Sequence, residues 1–245
     1  MFAKKLSFLL LMLAAATTQS LAITLFSTTF DIDVTGKSAF ENNYPDFSFS
    51  SSENNIRVNN GVLEIGSNSS FGRMDALING FDGDLHISLG IGALTGGSNY
   101  HVGLIIGQNT LLFHPLHPGG AFFVKGPGGF TNMDMGFTLS ANVLHFMEID
   151  IDGTTGRFDI TVTDGINANN IFTASFTNLG SIGGMIGLHR DGIRDLRGVG
   201  IGLYDNLMVT TPGGTVIPEP STIALFSVGL LGLIAFRKKF KVKTF

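Results

Sequence analysis

The 245-residue chain contains no cysteine, which excludes disulfides, thiolate nucleophiles and cysteine-held metal clusters. Tryptophan is also absent, and the tyrosines are Tyr44, Tyr100 and Tyr204 alone. Sugar grooves usually present flat amphipathic rings, so this scarcity weakens a carbohydrate-binding reading without removing it. Positive charge is scarce in the middle of the chain: between Ile23 and Gly214 lie eight of the fifteen Lys/Arg and eighteen of the nineteen acids, a net charge of −10. A body without a basic footprint is not a nucleic-acid binder, although divalent cations remain eligible partners. Without disulfides, stability must come from packing, for which the 22 Phe supply material.

Long apolar runs are confined to the two ends. At the C-terminus, Val216-Ile217-Pro218-Glu219-Pro220-Ser221-Thr222 precedes an apolar run from Ile223 to Phe236, followed by Arg237, Lys238, Lys239, Lys241 and Lys243. A helix over residues 221–236 would be roughly 24 Å long, slightly short for a hydrocarbon core of about 30 Å, and Ile217 and Phe240 extend it. The basic cluster belongs on the cytoplasmic side, which puts everything before Pro218 across the membrane. Two prolines fix φ and forbid helix ahead of the span, so the motif stays extended outside the lipid.

Pro218-Glu219-Pro220, the apolar segment and the terminal basic cluster together resemble the PEP-CTERM sorting tail of exopolysaccharide-producing Gram-negative bacteria. The resemblance implies that an exosortase-type enzyme recognises Pro218, Glu219 and Pro220. It also implies that the chain is held in the inner membrane during sorting and then passed toward the cell surface or extracellular matrix. An ordinary single-span anchor with a proline-rich stalk is the alternative.

The N-terminus agrees with export. Met1-Phe2-Ala3-Lys4-Lys5 is a basic n-region, Leu6 to Ala16 an apolar h-region, and Ser20-Leu21-Ala22 a small-x-small cleavage site, so maturation is expected at Ile23. The expected organisation is a signal peptide over 1–22, a body over 23–209, a linker over 210–217 and the sorting tail over 218–245.

Within the body, 33 glycines punctuate short apolar alternations, the pattern of an all-β domain. Strands are predicted at Leu25–Phe30, Ile56–Val58, Val62–Ile65, Leu85–Ile91, Tyr100–Ile106, Thr110–Phe113, Ala121–Val124, Val143–Ile151, Arg157–Thr163, Ile171–Phe176, Met185–His189 and Val199–Val209. Asn59-Asn60-Gly61 and Asp152-Gly153-Thr154-Thr155-Gly156 read as hairpin turns. Glu41 to Ser52 reads as a long loop with a short strand near Phe47 and Phe49, and no helix is expected between Ile23 and Gly214. So many strands without helices predict a β-sandwich of jelly-roll type. The opening Leu25 to Asp31, the middle hairpin and the closing Gly202 to Val209 are similar to concanavalin A-like, laminin-G-like jelly rolls. That resemblance implies neighbouring first and last strands.

Three constellations are candidates for chemistry. Glu148, Asp150 and Asp152 stand at alternate positions of one strand and resemble the laminarinase-type Glu-x-Asp-x-Glu motif. The resemblance implies Glu148 as nucleophile and Asp150 as its assistant. Asp152 departs from the motif, since an acid/base Glu is expected there, and on plain alternation Met147, Ile149 and Ile151 would face the core and leave the acids in water.

Asp31, Asp33, Asp82, Asp84, Asp205 and Asn206 supply oxygens that would suit calcium, although Asp82-Gly83-Asp84 is equally good turn chemistry. His86, His101, His114, His117, His145 and His189 follow no metal-ligand spacing and read as surface or packing residues. The glycine clusters near Gly119 and Gly126 precede neither Lys-Ser/Thr nor a helix, and so read as turns.

These features predict an exported, non-enzymatic jelly roll that is structural, adhesive or glycan-binding, with exopolysaccharide as one candidate partner. A glycoside hydrolase using Glu148 and Asp150 and a calcium-dependent lectin are the alternatives.

Overall fold

Alternating apolar residues on many short segments leave each sheet with one face to bury, and two sheets solve this by covering each other. The computed structural model describes residues 22–51, 54–67, 73–94, 100–114, 120–127, 129–177, 181, 183–192 and 200–212. Residues Thr24–Pro212 form one compact unit. The first strands are β1 (Thr24–Thr28), β2 (Val34–Thr35), β3 (Ser48–Phe49), β4 (Ile56–Asn59), β5 (Val62–Ser67), β6 (Arg73–Asn79), β7 (Leu85–Ala93) and β8 (Tyr100–Ile106). They continue as β9 (Asn109–His114), β10 (Ala121–Gly126), β11 (Gly129–Asp134), β12 (Leu144–Asp152), β13 (Arg157–Thr163), β14 (Ile171–Phe176), β15 (Met185–Gly192) and β16 (Gly200–Thr210).

One sheet runs β14-β13-β12-β7-β16-β5-β4-β2, with β1 also on β16; the other runs β11-β10-β9-β8-β15-β6-β3. Every pairing among them is antiparallel. The first and last strands lie side by side as expected, with Thr24 opposite Thr210 and Thr28 opposite Leu207. Leu85, Ile87, Leu89, Ile91 and Ala93 of β7 point into the core beside Met147, Ile149 and Ile151 of β12 and Phe158, Ile160 and Val162 of β13. The expectation that these residues pack while the intervening acids turn outward holds along β12. In the β4–β5 hairpin, Asn60 and Gly61 take φ of 51° and 78°, the positive values an Asn-Gly turn supplies.

Two expectations are corrected. A helix, α1 (Lys37–Asn43), forms where none was expected, overlapping the start of the predicted loop. Phe40 and Tyr44, four residues apart, fall on one side of it and join Phe26, Phe30 and Phe47 in an aromatic cluster with ring centroids 5.3–5.7 Å apart. Tertiary burial of Phe40 holds this short helix, which local propensity alone would not sustain. The strand count also exceeds expectation, because β2, β6 and β11 were not anticipated.

Among the described residues no helix is long and apolar enough to cross a membrane. The expected signal peptide over 1–22 lies outside the described residues except for Ala22, and the span near 221–236 lies outside them entirely.

Candidate saccharide-binding site

Strand alternation sends every second residue of the seven-stranded sheet away from the core, and the register aligns these residues into rows across the strands. One row runs Asn132, Phe123, Leu112, Gly103, His189, Asp75. The row beside it holds Asp134, Ala121 and His114 on β11 to β9, and His101, Asp191 and Arg73 on β8, β15 and β6. The row on its other side includes Lys125, Thr110, Ile105, Gly187 and Leu77.

An outward face is normally wet, yet Asp75 and His189 are each 2 % exposed and Ile105, Leu112 and Ala121 are buried. These positions of the face are therefore sheltered from solvent, a recess in that sense, and they mix polar and apolar groups. At its centre Gly103 carries no side chain because β9 approaches too closely: a Cβ there would stand 1.8 Å from the Leu111 carbonyl oxygen.

The polar end of the recess is held from several directions. His189 Nδ1–H donates to Asp75 Oδ1 at 2.5 Å, Arg73 Nε donates to Oδ2 at 2.6 Å, and the Asp75 N–H donates to Ser50 Oγ at 3.0 Å. Burial alone would push the Asp75 carboxyl up, but His189 and Arg73 outweigh it and hold the group below the usual carboxylate range. From the other sheet, the Tyr204 hydroxyl donates to the His189 carbonyl, which fixes the backbone under the imidazole.

His101 meets the rings of His114 and Phe123 edge-on, with centroids 5.7 and 5.0 Å away. Burial, with His114 and His189 nearby, pushes His101 down to about 4, so it is neutral at physiological pH. A neutral imidazole offers one donor and one acceptor, which matches a hydroxyl group.

The residues singled out from the sequence lie elsewhere. Glu148 and Asp150 face outward from the nine-stranded sheet, Glu148 between Ser88 and Thr161, Asp150 between His86 and Asp159. Asp150 Oδ1 accepts from His86 Nδ1 at 2.7 Å. Asp152 closes the hairpin, its Oδ1 accepting the N–H groups of Thr154 and Thr155 at 2.9 Å each. The Thr155 hydrogen bonds foremost hold Asp152 below the usual carboxylate range, whereas a general acid needs the opposite shift.

Of the calcium candidates, Asp84 accepts the Gly153 N–H at 2.8 Å, Asp31 accepts from Thr29, and Asp205 accepts from Asn206. Among the described residues no three acidic or histidine side chains converge on a metal position. His145 is internal, its Nε2–H donating to the Ser140 carbonyl while its Nδ1 accepts the Gly165 N–H. His117, the sorting residues Pro218, Glu219 and Pro220, and the basic cluster Arg237 to Lys243 lie outside the described residues.

The recess is not legible as a site, because its histidines are remote in sequence and β6, which carries Asp75, is not among the strands expected above. Buried Met74, Ala76 and Ile78 alternating with Arg73, Asp75 and Asn79 are the period-two signal that marks β6.

A family model for the PEP-CTERM protein-sorting motif matches residues 216–239. No curated protein matches the chain. Among solved structures, peanut lectin superposes with a TM-score of 0.52 at 9 % identity, covering 78 % of this chain and 98 % of the lectin. The carbohydrate recognition domain of Emp47p gives 0.51 at 11 % identity, over 69 % of this chain and 89 % of that one. The endo-1,3-beta-glucanase from Streptomyces sioyaensis gives 0.49 at 12 % identity, over 79 % and 98 %. The two lectins show the fold of the body: a concanavalin A-like jelly roll.

Proposed function

We propose that this exported chain, which its PEP-CTERM motif marks for membrane-held sorting and then release to the surface of a Gram-negative cell, displays a saccharide-binding body that does not cut its ligand. Processing by an exosortase-type enzyme follows from the motif; binding to exopolysaccharide is the proposed role of the body. The observation that carries the reading is the recess on the seven-stranded sheet, where Leu112, His189 and Asp75 of one outward row are buried and the row ends in the Asp75–His189 pair. Sugar recognition in lectin-like neighbours such as the Emp47p carbohydrate recognition domain supports it by analogy of fold.

The hydrolytic alternative is disfavoured by the chemistry of β12. Retaining or inverting cleavage needs one carboxylic acid with a raised pKa. Asp152 is held low by its turn, and Asp150 is engaged by His86.

The test combines purified mature body with exopolysaccharide from the producing cells and follows co-sedimentation and reducing ends together. Binding without new reducing ends is expected. New reducing ends that vanish in Glu148→Gln would establish the hydrolase instead.

A further inference from the structure

We infer that the seven-stranded sheet carries a second site, a cavity at its β3 edge that takes an amine-bearing sugar unit, an inference that rests on the saccharide-binding reading above. The polymer would then display free amino groups. The cavity holds about 370 Å³, and its walls include Asp46, Ser48, Leu77, Asn79, Gly184 and Met185. That volume lies within the range of small-molecule sites.

Register and turn geometry build the walls. Ser48 of β3 stands opposite Leu77 of β6, and Asn79 of β6 opposite Met185 of β15, so alternation turns these four side chains to the face that also carries the recess. Asp46 enters from the turn after α1, where the Phe47 N–H donates to the Tyr44 carbonyl at 3.0 Å and Pro45 takes the first inner position. Tyr44 and Phe47 both pack on Phe40, so the turn presents Asp46 from an anchored backbone. The wall at Gly184 is held by the Gly80 N–H, which donates to the Gly184 carbonyl at 3.1 Å. A Cβ on Gly184 would meet nothing within 4 Å, so the space beside that wall is free.

The charge of the walls names the ligand. Asp46 is the one ionic side chain among the lining residues. Among the described residues no hydrogen bond or ion pair engages its carboxylate, in contrast to Asp75, whose charge Arg73 and His189 meet. Asp82 adds to the negative side, its Oδ1 lying 2.5 Å from where a Cβ of Gly183 would stand, next along the chain from Gly184. An ammonium group supplies the missing positive partner for Asp46 and has three N–H donors, with Ser48 and Asn79 as further acceptors. Leu77 and Met185 offer apolar surface to the C–H face of a sugar ring. An N-acetylated unit would leave Asp46 without a charged partner, and an acidic sugar would meet it as a like charge.

Co-sedimentation of the mature body with exopolysaccharide from the producing cells, before and after acetylation of the polymer's free amines with acetic anhydride, tests this. Acetylation should weaken binding about tenfold, and Asp46→Asn should weaken binding to the untreated polymer by a similar factor. Glucosamine should compete with the polymer, whereas N-acetylglucosamine should not. Asp150→Asn, which removes an exposed acid on the other sheet, should leave binding unchanged.

Binding that acetylation does not weaken would overturn the amine-bearing class, and binding that Asp46→Asn does not weaken would overturn the cavity; either result leaves saccharide binding in place. A loss with Asp150→Asn as large as that with Asp46→Asn would assign the effect to the net charge of −10 and overturn the cavity as well. Absence of co-sedimentation with the untreated polymer would overturn the binding reading itself.

Discussion

At the scale of single residues, two side chains on the recess both lose stabilising power as pH falls, but in different windows, and so leave separable marks. His101 has a folded value of about 4 against about 6.5 when unfolded, so between these values only the unfolded chain takes up the proton. Its contribution to stability is therefore full above about pH 6.5 and falls as pH is lowered toward 4. The loss amounts to about 2 kcal/mol once partial exposure is allowed for. Urea denaturation of wild type and His101→Asn across this range checks it: the difference between the two should shrink or reverse toward pH 4, and a constant difference would contradict the burial argument.

Asp75 responds in the same direction at lower pH. Its folded value is depressed, so it stabilises the fold above the unfolded carboxylate pKa of about 4 and loses that contribution only in stronger acid. Asp75→Ala strips His189 and Arg73 of their acceptor and should cost on the order of 2–3 kcal/mol at pH 7, read as a lowered denaturation midpoint.

At the scale of elements, helix α1 and strand β8 are the informative ones. Phe40 is fully buried under α1, in contact with Tyr44 and Phe47, and Phe40→Ala should cost about 3–5 kcal/mol. The thermal midpoint would report it, and a shift of under a degree would mean the aromatic cluster does not hold the N-terminal part of the body. Gly103→Ala should destabilise as well, since the added Cβ meets the Leu111 carbonyl and β8 must shift from β9.

These elements also mark how far the sequence could be read. Strands β7, β12 and β13 were legible because their alternation is clean and their turns use Asp-Gly chemistry. Helix α1 was not, because a single i, i+4 aromatic pair is too little periodicity to separate seven residues from loop. The recess was illegible for a different reason. His101, His114 and His189 belong to β8, β9 and β15, and only the order of strands in the sheet makes them neighbours. The carboxylates of β12 were legible as a motif, yet their chemistry depends on what faces them, His86 for Asp150 and the turn amides for Asp152.

At the scale of the whole molecule, the order of strands constrains the order of events in export. Strand β16 comes last in the chain but sits inside the nine-stranded sheet, paired with β7 on one side and with β5 and β1 on the other. It also brings Tyr204, Leu207 and Val209 into the core. The sandwich cannot close until Thr210 has crossed the membrane, by which point the sorting motif at 216–239 follows directly behind. The body should therefore fold while still attached to its tail. Glu219→Ala is expected to accumulate a tail-bearing chain in the membrane fraction. Limited proteolysis of that chain should leave a core as resistant as the mature body, whereas a body degraded until its tail is removed would contradict this order.

Hydrogen–deuterium exchange of the mature body, with and without exopolysaccharide from the producing cells, examines the binding face directly. Slowed exchange is expected in the backbone amides of β6, β8, β9, β10 and β15, the strands that form the recess. Slowed exchange in 144–152 and 157–163 instead, with the recess strands unchanged, would place the ligand on the opposite sheet and contradict the account.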